Sequence, residues 1–141
     1  MTPGQLRRDE AGKWMDQARK DLNAAALLKS AEPSRSVFHS QQAAEKCAKA
    51  FLSFHNVSFR RTHDLGVLGE QCAALAPDLA AMVAEVAELT EYAVQFRYPG
   101  VLRDPDEEEA ARAIEKSRRF YEKIGALLAP SEARPPEGGP G

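Results

Sequence analysis

Residues that favour β-structure are scarce in this chain of 141 residues. Val, Ile and Thr together fill 12 positions, whereas Ala fills 24 and Leu fills 13. Strands draw on β-branched residues and helices on Ala and Leu, so this balance argues against a β-sandwich or barrel and predicts an all-α fold. The length suits one domain.

Long apolar runs, cysteine motifs and histidine clusters are also lacking. No uninterrupted apolar run approaches the roughly 20 residues that cross a bilayer, and the first residues contain no apolar segment of a secretory signal. These features predict a cytoplasmic protein without membrane association. Two cysteines without CxxC spacing predict reduced thiols, and three histidines without metal-ligand spacing predict neither a metal nor a cofactor.

Charge of one sign is not in excess. The formal net charge is -2 at pH 7, which argues against a protein that coats nucleic acid without specificity. This balance still leaves room for a local basic patch.

Apolar residues recur at helical spacing in five segments, which Pro and Gly separate. The predicted helices are Asp9–Ser30, Ser34–Asn56, His63–Leu75, Pro77–Phe96 and a last helix that Asp104 caps, with Pro105 in its first turn. Four long helices and one short one predict an antiparallel up-down bundle over residues 1–129. Seven of the residues 130–141 are Pro or Gly, which predicts a disordered tail. The second helix is apolar over much of its circumference, so it is central or also faces a second subunit.

Polar residues on the second helix are the first candidate site. Glu45 and Lys49 are spaced as an i,i+4 pair, so they form either a solvated salt bridge or the polar lining of a cleft. Asp21 lies at the edge of the first helix's apolar stripe and needs a partner, which Lys49 or Arg97 could supply. Arg97 itself either complements the dipole of its helix or grips a phosphate.

A second basic cluster, Arg60, Arg61 and His63, lies in the linker before the third helix. Two adjacent arginines can bind phosphate, but Asp64 as a helix cap explains part of the same motif. Neither a nucleophile with a base nor a Gly-rich phosphate loop is present in the sequence.

Four motifs in this order and spacing resemble the HEPN family (higher eukaryotes and prokaryotes nucleotide-binding), in its small stand-alone prokaryotic form. They are A-R-K-D-L at 18–22, F-H-S-Q-Q-A-A-E-K-C-A-K-A at 38–50, R-T-H-D-L at 61–65 and R-Y-P at 97–99. The resemblance covers residues 14–128. It implies a helical bundle that dimerises and is often encoded beside a minimal nucleotidyltransferase, as a toxin-antitoxin pair.

The resemblance also implies the site residues. Arg97 and Tyr98 match the family's R-Y-P, and His63 matches its T-H-D-L. The charges of the second helix match at Glu45, Lys46 and Lys49. Many members are metal-independent ribonucleases that use an Arg followed, after four to six residues, by a His.

That ribonuclease motif is incomplete here, because the positions where His should follow Arg97 hold Leu102, Arg103 and Asp104. We therefore expect little or no ribonuclease activity of the usual kind. The favoured interpretation is a homodimeric binding module for a nucleotide, RNA phosphate or a nucleotidyltransferase partner. A ribonuclease with a variant active site and a purely structural helical dimer are the alternatives.

Overall fold

The computed structural model describes residues 1–59, 61–62, 64–91 and 104–130, and over these ranges every regular element is helical. The elements are α1 (Pro3–Leu28), α2 (Pro33–Phe54), α3 (Leu65–Leu75), a 3-10 turn (Pro77–Leu79), α4 (Ala80–Ala87) and α5 (Glu107–Leu128). The all-α antiparallel up-down bundle that the sequence predicts is confirmed. Within the described ranges, none of the helices combines the length and the apolarity that a membrane crossing requires.

The first helix begins earlier than predicted, at Pro3 rather than at Asp9. Thr2 is its N-cap, since the Thr2 hydroxyl accepts from the Gln5 amide at 3.1 Å. The Gln5 side chain accepts in return from the Thr2 amide at 2.7 Å, which completes a capping box. The pattern T-P-x-Q therefore starts α1, although the apolar stripe of the helix begins only at Ala11.

The second helix lies at the centre of the bundle and packs against α1, α3 and α5. Twelve of its 22 residues are buried, and four of them are alanines that let neighbouring helices approach closely. Two buried hydroxyls form hydrogen bonds between α2 and its neighbours. Ser36 donates to the carbonyl of Ala25 in α1, and Ser117 in α5 donates to the carbonyl of Ser40, each at 2.7 Å. The apolar circumference of α2 is thus used inside one chain.

The prediction that Asp104 caps the last helix is wrong. Asp106, not Asp104, is the N-cap of α5, because its side chain accepts from the Glu109 amide at 2.8 Å. The sequence contains two overlapping D-x-x-E patterns, and the second places three glutamates in the first turn, where the helix dipole favours them. Pro105 is buried just before this cap rather than inside the helix.

The predicted helix Pro77–Phe96 is divided in the structure. It opens with the 3-10 turn, and α4 ends at Ala87, where the Leu89 amide bonds to the carbonyl of Val86. This i→i+3 bond keeps the buried side chains of Val86 and Leu89 on one side. The predicted end of this helix near Arg97 and the predicted disorder of the tail from 131 onward lie outside the described residues.

The predicted core is confirmed at five of six positions. Leu22, Ala48, Phe51, Val86 and Ile114 are buried. Trp14 is only partly buried, because it lies at the edge of the α1 stripe. It belongs to the site described next.

Candidate functional site

A partly buried carboxylate in the C-terminal half of α1 joins this helix to α2. Oδ2 of Asp21 lies 2.6 Å from Nζ of Lys46, and Oδ1 lies 2.8 Å from Nδ1 of His39. The Asp21 side chain is 12% exposed, that of Lys46 22% and that of His39 32%. We call these three residues the Asp21 cluster. A carboxylate that is this shielded is stabilised by the two partners.

A second charged group lies one turn along α2. Nζ of Lys49 is 3.5 Å from Oε2 of Glu45, and the two side chains are 13% and 3% exposed. The same ammonium lies 5.5 Å from the ring centre of Trp14 and 5.8 Å from that of Phe59. The two rings meet edge to face at 6.2 Å. These four residues, the Lys49 cluster, hold a cation between a carboxylate and two aromatic faces.

Helical periodicity explains why the two clusters are neighbours. His39, Lys46 and Lys49 are spaced by seven and three residues, which places them on one side of α2. Trp14 and Asp21 are seven residues apart on α1 and face that side. The clusters together contain two lysine cations and two carboxylates, so their formal charges balance when His39 is neutral.

The structure corrects one predicted contact and leaves others untested. Lys46 and His39, not Lys49, are the partners of Asp21, because Lys49 turns to Glu45. Arg97, Tyr98 and His63 lie outside the described residues, so the predicted Asp21–Arg97 contact stays a prediction. Arg61 is exposed, and none of its described contacts joins it to either cluster.

The cap function predicted for the THD motif is confirmed. Asp64 is the N-cap of α3, since its side chain accepts from the Gly66 amide at 2.8 Å. Its own amide donates to the Thr62 hydroxyl at 3.0 Å. This capping role accounts for the aspartate at position 64 without a ligand-binding function.

His39 is the site residue that the sequence analysis missed. His39 has neither metal-ligand spacing nor a place in the Arg-then-His motif, the two histidine patterns that predict a site. The available signal was its position seven residues before Lys46, on the polar side of α2. The His39 contact with Asp21 depends on how α1 crosses α2, which one helix's periodicity does not specify.

The chemistry open to the two clusters follows from their donors. An ionised Asp21 only accepts, so Nδ1 of His39 carries the proton in this contact and leaves Nε2 as an acceptor when the ring is neutral. Each lysine has three donors and spends one on its carboxylate, so donors remain for a ligand oxygen. Among the described residues, no group of three or more His, Cys, Asp or Glu side chains is arranged to hold a metal ion.

Comparison with known proteins identifies the fold that carries this site. A family model for the HEPN domain matches residues 11–127. The chain belongs to the HEPN family. All residues of both clusters lie within the matched range, as do the whole of α2 and α1 from residue 11 onward.

Two relatives extend this comparison. The HEPN chain is 30% identical over 122 residues to the Methanocaldococcus jannaschii protein named "Putative toxin MJ1304", which spans 79% of this chain and 80% of that protein. It is also similar to the crystal structure of ST0689, an archaeal HEPN homologue, with a TM-score of 0.66 and 24% identity over 84% of this chain and 98% of that one. The second likeness concerns the fold alone.

Proposed function

We propose that this HEPN protein is the binding member of a toxin-antitoxin-like pair. In this proposal it is a homodimer that binds the phosphate of a nucleotide or RNA at the Asp21 and Lys49 clusters and docks a minimal nucleotidyltransferase. The similarity to a protein whose name includes the word toxin supports the paired system. The Asp21 cluster is the observation that carries the phosphate-binding part.

The free-energy cost of burying these charges favours a ligand-binding role over a purely structural one. Burying two carboxylates and two ammonium groups is expensive, and a buried ion pair is often no more stable than an apolar pair of similar volume. The alanine-rich core of α2 needs no such charges. Lys46 and Lys49, by contrast, present unused donors on one side of α2, where partly exposed ammonium groups can bind phosphate oxygens.

Arg97 extends this proposed site in the sequence-based hypothesis. A guanidinium could take two phosphate oxygens at once, which a lysine cannot do. Its inclusion rests on the match of Arg97 to the family's R-Y-P motif. The variant Arg97→Ala therefore tests that match separately from Lys46.

Titration calorimetry of the wild type with UMP, ATP and a short RNA tests the proposal. We expect Lys46→Met and Arg97→Ala each to weaken phosphate binding by about 10- to 150-fold, which corresponds to roughly 1.5–3 kcal/mol for a hydrogen bond to a charged group. Lys123→Met is the control, since Lys123 is a partly exposed lysine that pairs with Asp78 on another surface. If the wild type binds none of these ligands, the phosphate-binding part is wrong and only the protein-partner part survives.

A metal-independent endoribonuclease is the second candidate, and one observation favours it. The contact between Asp21 and Nδ1 of His39 orients an imidazole, as in the acid-base pairs of hydrolytic sites. Against it, the family's motif His is absent after Arg97, and catalysis also needs a cation at the developing phosphate charge. We therefore expect no RNA cleavage in chelator by the purified protein. Cleavage that survives repurification and disappears in both His39→Gln and Arg97→Ala would establish the ribonuclease instead.

A further inference from the structure

A line of partly exposed side chains continues beyond the two clusters toward the start of α1. Arg7, Trp14 and Asp21 are spaced by seven residues on α1, and each is partly buried. On α2 the facing positions are His39, Lys46 and Lys49, which are also partly buried. We call these six residues the α1–α2 seam.

The seam ends in a recess of about 600 Å³ between the start of α1 and the end of α2. Arg7, Arg8, His55 and Asn56 contribute to its lining, and none of its lining residues is acidic. The guanidinium of Arg8 lies 5.9 Å from the ring centre of Phe54, which also lines the recess. Neither arginine forms an ion pair with the part of the chain that the structure describes.

The charges are therefore distributed unevenly along the seam. Asp21 and Glu45 balance Lys46 and Lys49, whereas the cations of the recess carry no balancing acid. From Arg7 to Asp21 the helix rises about 21 Å, which corresponds to about six nucleotides at a rise of 3.4 Å per nucleotide and to fewer in an extended strand. Trp14 lies midway, with the Lys49 ammonium 5.5 Å from its ring centre.

We propose that the α1–α2 seam is a track for a single-stranded nucleic acid of about four to six nucleotides, with Arg7 binding a phosphate at one end and Trp14 stacking on a base. The inference rests on the proposed phosphate-binding function and specifies its ligand. Cations along a groove with an interleaved aromatic ring are the combination that single-strand sites use. A mononucleotide would occupy only the clusters, while a strand would also reach Arg7.

Trp14 is the one tryptophan in the sequence, so its fluorescence reports directly on the seam. The full chain is titrated with UMP, with the RNA hexamer rU6 and with the DNA hexamer dT6. We expect a hexamer to quench Trp14 emission and to bind at least about tenfold more tightly than UMP, because each stacked base and each phosphate contact adds affinity. Binding of either hexamer that is tighter than UMP binding and quenches Trp14 emission supports the track.

Arg7→Ala separates the track from the clusters. We expect this variant to bind the hexamer about tenfold more weakly, to lower the slope of log affinity against log salt by about 0.7, and to leave UMP binding unchanged. Arg118→Ala, the control, removes an exposed arginine of α5 that forms no ion pair with the described residues, and it should leave both affinities unchanged. Arg7→Lys should restore most of the lost affinity, since the charge is retained.

Four results would overturn the inference, and they differ from failure of the proposed function. If Arg7→Ala binds the hexamer as the wild type does, or if the hexamer binds without changing Trp14 emission, the strand lies elsewhere. If a peptide of six glutamates competes as well as rU6, the ligand of the seam is an acidic peptide and not a nucleic acid. Binding of UMP with no gain for a hexamer rejects the track alone, whereas no binding of either rejects the phosphate site itself.

Discussion

The ion pair between Asp21 and Lys46 should contribute measurably to stability, and a double-mutant cycle isolates its contribution. At 2.6 Å, two unit charges attract by about 1.6 kcal/mol in water and by about 6 kcal/mol at an effective dielectric constant of 20, before desolvation. Desolvation removes much of this gain. The two side chains are 12% and 22% exposed. The contribution of this pair to stability should therefore lie between two limits. An exposed pair contributes at most about 1 kcal/mol, and breaking a buried pair costs about 3–5 kcal/mol.

We therefore expect Asp21→Asn to lower the free energy of unfolding by about 2 kcal/mol, since it weakens the contacts with Lys46 and His39 together. The coupling energy between Asp21→Asn and Lys46→Met should be about 1–2 kcal/mol. Urea denaturation of the four proteins, followed by circular dichroism at fixed pH and salt, measures it.

A second cycle on the outer side of α1 provides the control. Asp16 and Lys20 lie 3.6 Å apart, with side chains 50% and 59% exposed. Solvent and salt screen this pair, so its coupling energy should stay below about 0.5 kcal/mol. Equal coupling energies in the two cycles would refute the argument that burial strengthens the Asp21–Lys46 ion pair.

The remaining predictions concern packing, thiols and assembly. A Cβ on Gly69 would lie 2.2 Å from a methyl of buried Val83, so Gly69→Ala should lower the free energy of unfolding, measured by urea denaturation, by about 1–3 kcal/mol. Gly12 has open space around it, so Gly12→Ala should raise the free energy of unfolding by about 0.5–1 kcal/mol. Burial raises the pKa of Cys72 to about 12 and also raises that of Cys47. Both thiols should therefore resist a thiol reagent at pH 8 until urea unfolds the chain, and stability should fall as pH rises above their ordinary pKa near 9. Light scattering should give a homodimer, and a mass near 15.5 kDa at micromolar concentration would contradict it.

The helices were predictable because each depends on signals within its own segment. Apolar spacing located α1, α2, α3 and α5, and Pro and Gly located the breaks between them. The errors came from competition between local signals. Asp104 and Asp106 both begin a D-x-x-E pattern, and the acidic first turn together with buried Pro105 decides between them in favour of Asp106.

The site was less predictable because its contacts join two helices. The sequence indicated that Asp21 needs a partner and that α2 carries a polar strip, and both indications hold. Which cation reaches Asp21 depends on the crossing of α1 over α2, so Lys46 and His39 replaced the expected Lys49. The ring of Phe59, far from Trp14 in sequence, completes the Lys49 cluster only after the linker folds back.

The packing of α2 bears directly on the homodimer that we expect for this HEPN chain. Its apolar circumference was an argument for a second subunit, but α1, α3 and α5 bury that surface within one chain. We therefore expect a homodimer to use another surface, and the expectation of a dimer now rests on the family resemblance. The polar side of α2 remains partly exposed along the seam, where cations and an aromatic ring suit a charged ligand better than an apolar helix. We therefore expect Arg7→Ala to change ligand binding without changing subunit association.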